Sequence, residues 1–208
     1  MGFQNAQSVQ PVVAVERIVF YRERAAGMYS ALPYAFGQVV IELPYILLQT
    51  LLYGVIVYAM IGFHWTAIKF FWYLFFMYFT LLCFTFYGMM IVAVTPNQHI
   101  AAIVRASFYK MWYLFAGFVV PRPRAPMWWR WYFWANPLYW SLYGLFITQF
   151  GDVKDKLDTG ETVEDFVRDY FGYRNDFVGI TAMMHIAFAL LFGFTFAYSI
   201  KAFNFQKK

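Results

Sequence analysis

The sequence predicts an all-α membrane protein: four transmembrane helices, an N-terminal amphipathic helix and a re-entrant helical region. Three observations predict it. The 208 residues are 62% hydrophobic, 25% aromatic and only 13% charged, whereas soluble domains are roughly 45–50% apolar and about 25% charged. Four apolar runs, residues 43–63, 70–94, 100–120 and 177–200, meet the length of about 20 residues that a helix needs to cross hydrocarbon. No run alternates at period two, which argues against a barrel and leaves helices to satisfy the backbone in lipid.

The N-terminal region, residues 1–32, begins with a polar stretch at 1–10. It has no basic segment followed by an apolar core, so no secretory signal is expected, and Ala6 in place of Ser or Thr argues against myristoylation. An amphipathic helix is predicted over residues 11–30. Val12, Val15, Ile18 and Val19 fall at helical spacing, with Glu16, Arg17, Arg22, Glu23 and Arg24 around them. Gly27 relaxes that helix before the first span, 34–63. Pro33 suits a first turn, and Pro44 predicts a kink.

A link at residues 62–69, with Trp65 as an interfacial anchor, leads to the second span at 70–94. The polar turn TPNQH, residues 95–99, separates it from the third span at 100–120. The string PRPRAP, residues 121–126, reads as stiff and extended. Residues 127–140 hold five of the eight tryptophans, a composition suited to the headgroup layer. Asn136-Pro137 caps an apolar helix to about Phe150, whose length of some 14 residues fits a re-entrant segment better than a crossing. The acidic loop, 151–176, holds eight of the eleven acids and four basic residues. Within it Thr162 and Asp165 form a capping pair for a helix that Gly172 ends. The last span is 177–200, and Lys201, Lys207 and Lys208 follow it.

Charge alone leaves the orientation open. Four spans place both ends on one side, where Arg17, Arg22, Arg24, Lys201, Lys207 and Lys208 favour the cytoplasm, but Arg122, Arg124 and Arg130 lie near the opposite face. The net charge of +5 accompanies no basic stripe of base-reading residues, so nucleic-acid binding is not expected. Cys83 is the single cysteine, and His64, His99 and His185 are scattered, so no metal site is predicted. No Ser–His–Asp arrangement is evident either. An enzyme is a poor reading of this chain.

Four strings, ERIVFYRERAAGMYSALPYAFGQ, VIELPY, FTFYGMMIVAVTPNQHIAAIV and PRPRAPMWWRWYFWANPLYWSLYG, resemble the plant pleiotropic-drug-resistance ABC transporters of subfamily G. The resemblance is to the second membrane domain of full-size members and covers nearly the whole chain. It implies cytoplasmic ends, an extracellular Trp-rich re-entrant region at 121–150 and an extracellular loop at 151–176. Against the six spans of that family, the sequence reads as an N-terminally truncated fragment. It contains no G-x-x-x-x-G-K-[ST] string, so ATP hydrolysis is not expected from it alone. No cofactor is expected on the chain; ATP and Mg2+ would act through nucleotide-binding domains elsewhere.

By that resemblance residues 16–30 are the cytoplasmic coupling helix that docks a nucleotide-binding domain, through Glu16, Arg17, Arg22, Glu23 and Arg24. From spacing alone, a membrane-surface helix with snorkelling arginines explains it equally. Glu42 and Arg105 lie at matched depth in the first and third spans; they form an ion pair, or Arg105 snorkels while Glu42 binds backbone or water. Lys110 either faces the substrate path and favours anionic cargo or marks a degenerate copy. Phe108, Trp112, Tyr113, Phe118 and Val119 join it as substrate-path residues, the last two at the constriction below the exit; helix packing and lipid contact are their alternative.

The resulting expectation is the permease part of an ATP-driven exporter of apolar or amphipathic small molecules. It would lie in the plasma membrane with the other membrane domain, nucleotide-binding domains and lipid as partners. The alternatives are a truncated inactive product or a non-transporting partner of an intact transporter. An independent channel would need a polar pore stripe that these spans lack.

Overall fold

The computed structural model describes residues 2–63, 66–153, 155, 156, 160–203 and 205. His64, Trp65, Lys207 and Lys208, singled out above, lie outside the described residues. Among the described residues there are eight α-helices: α1 Gly2–Ala25, α2 Ala31–Ile61, α3 Ala67–Val94, α4 Gln98–Leu114, α5 Arg130–Trp134, α6 Pro137–Phe150, α7 Val163–Phe166 and α8 Val178–Ala202. Among the described residues three segments are long and apolar enough to cross a membrane: Ala31–Ile61, Ala67–Val94 and Asn175–Ala202. The third expected run is shorter. α4 has 17 residues, a rise of roughly 25 Å at 1.5 Å per residue.

The chain divides into two compact units. The first comprises residues 1–48, 81–109 and 187–208; the second comprises 49–80 and 110–186.

In the first unit α1 is the central element, which corrects the expectation of a short surface helix starting near residue 11. It runs from Gly2 through Pro11 for 24 residues. Ala6, Val9, Gln10, Val13, Ala14, Arg17, Phe20 and Tyr21 are buried, whereas Val12, Val15, Ile18 and Val19 are exposed. The helix carries apolar residues on two faces, and the buried one includes the small Ala6 and Ala14 as well as the large Phe20 and Tyr21. Small residues let neighbouring backbones close in. A Cβ on Gly88 of α3 would stand 2.7 Å from the Ala6 carbonyl oxygen and 2.9 Å from its Cα, so α1 and α3 meet there only because position 88 is glycine.

α1 stops in a Schellman arrangement. Gly27 has φ 75°, its N–H donates to the Arg24 carbonyl at 3.1 Å, and the Met28 N–H donates to the Glu23 carbonyl at 3.1 Å. α2 continues through Pro44 as a single helix.

In the second unit the end of α4 and the start of α6 share one side chain. Asn136, fully buried, donates from Nδ2 to the Trp112 and Phe115 carbonyls at 2.8 and 2.9 Å. Its Oδ1 accepts from the Leu138 N–H at 3.0 Å. It therefore satisfies two carbonyls at a helix C-terminus and one N–H at a helix N-terminus, groups that a helix leaves orphaned. The next residue is Pro137, at the first position of α6, where a missing N–H costs nothing. PRPRAP is not extended throughout: Arg122–Arg124 within it is a 3-10 turn, because the fixed φ of proline fits that turn as well as an extended one, and a second such turn, Met127–Trp129, follows it. Thr162 caps α7 by accepting from the Asp165 N–H at 3.2 Å, and the chain leaves the following π turn, Val167–Phe171, at Gly172.

Asn136→Ala removes three hydrogen bonds, two of them to carbonyls at the end of α4. It should destabilise the chain by about 2–4 kcal/mol, read as a lowered thermal midpoint by circular dichroism in detergent micelles. A midpoint equal to that of the wild type would refute the double-cap role.

Candidate functional site

The candidate site is the C-terminal half of α1, whose side chains divide into an inner set that fixes the helix and an outer set that remains available. Arg17 is 5% exposed. Its Nη1 donates to the Val92 carbonyl and, at 2.7 Å, to the Thr95 carbonyl; its Nη2 donates to the Pro96 carbonyl at 3.1 Å. α3 ends at Val94, so these are carbonyls that the helix cannot satisfy internally. A guanidinium suits the task because its planar fork presents several donors at fixed angles, and a positive charge is favoured at a helix C-terminus. Its face also stands 5.4 Å from the Phe205 ring centroid. Burial pulls the Arg17 pKa below its ordinary value, while Tyr21 and Tyr34 oppose the shift.

Arg17 therefore does not stand with the exposed charges, as its place in the charged string suggests. Phe20, fully buried, stacks on Tyr34 of α2 at 4.3 Å and 15°. The Tyr21 hydroxyl donates to the Phe203 carbonyl at 3.0 Å. Glu16 accepts from Gln38 Nε2 of α2 at 2.6 Å. Arg22 and Arg24 are exposed, and Glu23 accepts a hydrogen bond from the Tyr29 hydroxyl. The outer surface of α1 thus carries Arg22 and Arg24 beyond a firmly held inner face.

Glu42 and Arg105 do not pair. Arg105 donates to the Phe3 carbonyl of α1 at 3.4 Å and lies over the Phe3 ring at 4.6 Å. Among the described residues the ion pairs are Lys69–Asp152, Arg168–Asp165, Arg168–Asp169 and Arg174–Asp176. Matched depth missed the competitor, a carbonyl and ring supplied by α1.

The residues assigned to a substrate path separate by exposure. Phe108, Tyr113, Phe118 and Val119 are exposed, as is Lys110. Trp112 is buried, and its carbonyl takes part in the Asn136 double cap. Phe115, half-buried, stacks on Trp129 at 5.0 Å and meets Phe133 edge-on at 5.8 Å. Sequence reasoning missed the roles of Arg17 and Asn136 as helix-end partners. Asn-Pro signals the N-cap of α6, but nothing local signals the bonds to α4.

Comparison with known proteins decides the family. The family model for the ABC-2 type transporter matches residues 1–150. The chain belongs to the ABC-2 type transporter family. Over 208 residues it is 66% identical to pleiotropic drug resistance protein 1 of Nicotiana tabacum and 64% identical to ABC transporter G family member 53 of Oryza sativa subsp. japonica, covering all of this chain and 14% of each relative. It is 61% identical over 209 residues to ABC transporter G family member 40 of Arabidopsis thaliana, again with all of this chain and 15% of the relative. The chain is membrane-domain sequence of the plant pleiotropic-drug-resistance, subfamily G type, and spans about a seventh of the length of these relatives. This ABC-2 membrane domain carries no nucleotide-binding domain in its 208 residues.

Arg17→Lys keeps the charge but loses the fork that reaches three carbonyls. It should cost about 2–3 kcal/mol of stability, with faster proteolysis between α3 and α4 as a second readout. Wild-type stability together with unchanged cleavage would show that a point charge suffices.

Proposed function

We propose that this chain is permease sequence from the second membrane domain of an ATP-driven exporter of apolar or amphipathic small molecules. In this reading residues 16–30 are the coupling helix, and a nucleotide-binding domain docks on its outer surface through Arg22, Glu23 and Arg24. ATP and Mg2+ act on that domain, and the other membrane domain completes the path in a multi-pass protein of the plasma membrane. The observation that carries the reading is the division of α1 into a buried inner face and an exposed charged end. A helix built this way can receive a push on its outer charges and pass it on through rigid contacts at Arg17, Phe20 and Tyr21.

The physical requirement is a differential interaction between two states, since a ligand or domain that binds both equally shifts neither. Closure of the nucleotide-binding domains supplies it at Arg22, Glu23 and Arg24, and α1 transmits it to the end of α3 through the Arg17 fork. Exposed ion pairs are individually worth under about 1 kcal/mol, so docking rests on the group rather than on one charge. We further read α4 with residues 115–120 as a crossing too, the third of four in chain order, and Phe108, Lys110, Trp112, Tyr113, Phe118 and Val119 as the path-lining set. Trp112 belongs to the packing of the second unit, which makes it the weakest member of that set. Residues 121–150 form the extracellular re-entrant region and 151–176 the extracellular loop.

Arg24→Glu, placed in a full-length transporter that contains this segment, should reduce drug-stimulated ATPase and transport several-fold while expression and membrane insertion stay normal. Unchanged transport at normal expression would contradict the coupling role.

A further inference from the structure

The segment between α4 and α6 gathers cations without acids. No Asp or Glu occurs between Glu42 and Asp152, whereas Arg122, Arg124 and Arg130 fall within nine residues. Four of the eight acids of the following loop already have cationic partners: Asp152 pairs with Lys69, Asp165 and Asp169 with Arg168, and Asp176 with Arg174. Arg122 and Arg130 are in no ion pair among the described residues, and together with Pro123 and Gly172 they line a cavity of about 260 Å³.

Both guanidiniums are held in place before any ligand arrives. Arg130 donates from Nε to the Ala125 carbonyl and from Nη2 to the Pro123 carbonyl, each at 3.2 Å. Arg122 stands over the Trp134 ring at 4.5 Å and lies beside the Tyr139 hydroxyl. Arg124 is held aside over the Tyr170 ring at 4.7 Å. Pre-positioned arginines lose little entropy on binding an oxyanion and can grip it through paired N–H groups.

The same short segment carries apolar side chains turned outward: Met127 is 81% exposed, Trp128 70% and Trp131 63%. In water such exposure is unfavourable; at a bilayer interface it is the usual place for tryptophan. A free anion would have no use for these residues, but a phospholipid would. We propose that Arg122 and Arg130 bind the phosphate of a phospholipid headgroup, while Met127, Trp128 and Trp131 enter the boundary between headgroups and acyl chains. Residues 122–131 thereby fix the depth of the second unit in the membrane.

The full chain in maltoside micelles is titrated with dihexanoylphosphatidylglycerol, with dihexanoylglycerol and with inorganic phosphate, and tryptophan fluorescence is followed. Phosphatidylglycerol should bind saturably and at least about tenfold more tightly than the phosphate-free lipid, as expected for loss of one charge-assisted contact or more. Inorganic phosphate should give no saturable change. In R122Q/R130Q the preference for phosphatidylglycerol should vanish. Equal binding of the two lipids by the wild type, an undiminished preference in R122Q/R130Q, or tight saturable binding of inorganic phosphate would each overturn the proposal. If the double variant loses helical circular dichroism, the wild-type comparison alone decides.

Discussion

The guanidinium of Arg17, buried against three carbonyls at the end of α3, is the contact on which the first unit depends. A helix end in an apolar surround needs partners for its last carbonyls. The chain supplies them from α1, more than seventy residues earlier in sequence. Once Arg17 is fixed, the other inner residues of α1 have fixed neighbours. Phe20 meets Tyr34 of α2, Tyr21 reaches the carbonyl of Phe203 just after α8, and the Phe3 carbonyl and ring engage Arg105 of α4. Every other element of this unit is therefore registered against α1. That arrangement gives the coupling reading its physical basis, because a displacement of α1 cannot leave the end of α3 unmoved.

The second unit is organised by the same device with a different residue. Asn136 satisfies two carbonyls at the end of α4 and caps α6. Around it Phe115, Trp129, Tyr132 and Phe133 form stacked and edge-on pairs. At its periphery Lys69 bonds the Gln149 carbonyl and pairs with Asp152, while Gln149 Nε2 donates to the Lys69 carbonyl at 3.0 Å. Polar side chains in both units are thus spent on backbone groups at helix ends, where an apolar environment makes an unpaired carbonyl most costly.

Much of this fold was legible because membrane helices announce themselves by length and apolarity. The runs at 70–94 and 177–200 lie within Ala67–Val94 and Asn175–Ala202, the run at 43–63 overruns Ala31–Ile61 by two residues, and Asn136-Pro137 marked the start of α6. The burial of α1 was not legible, for an identifiable reason. Aliphatic residues lie on both faces: Val12, Val15, Ile18 and Val19 are exposed, while the buried face combines Ala6, Val9, Val13 and Ala14 with a close approach at Gly88. Pro11, at the start of the predicted 11–30 helix, lies inside α1. Arg17 looked like any snorkelling arginine, since its partners lie far along the chain. Glu42 and Arg105 shared a depth, but depth does not reveal that Phe3 reaches Arg105 first.

The claim that α1 is the buried centre of its unit can be measured directly by hydrogen exchange on the full chain in lipid nanodiscs. Amides of Ala6 through Tyr21 should be protected to the same degree as those of the residue 81–93 portion of α3, which is buried throughout apart from the half-buried Met90. Protection in packed elements reports the free energy of opening them. Exchange of α1 within seconds while α3 stays protected would show a surface helix loosely attached to the bundle, and would contradict the account.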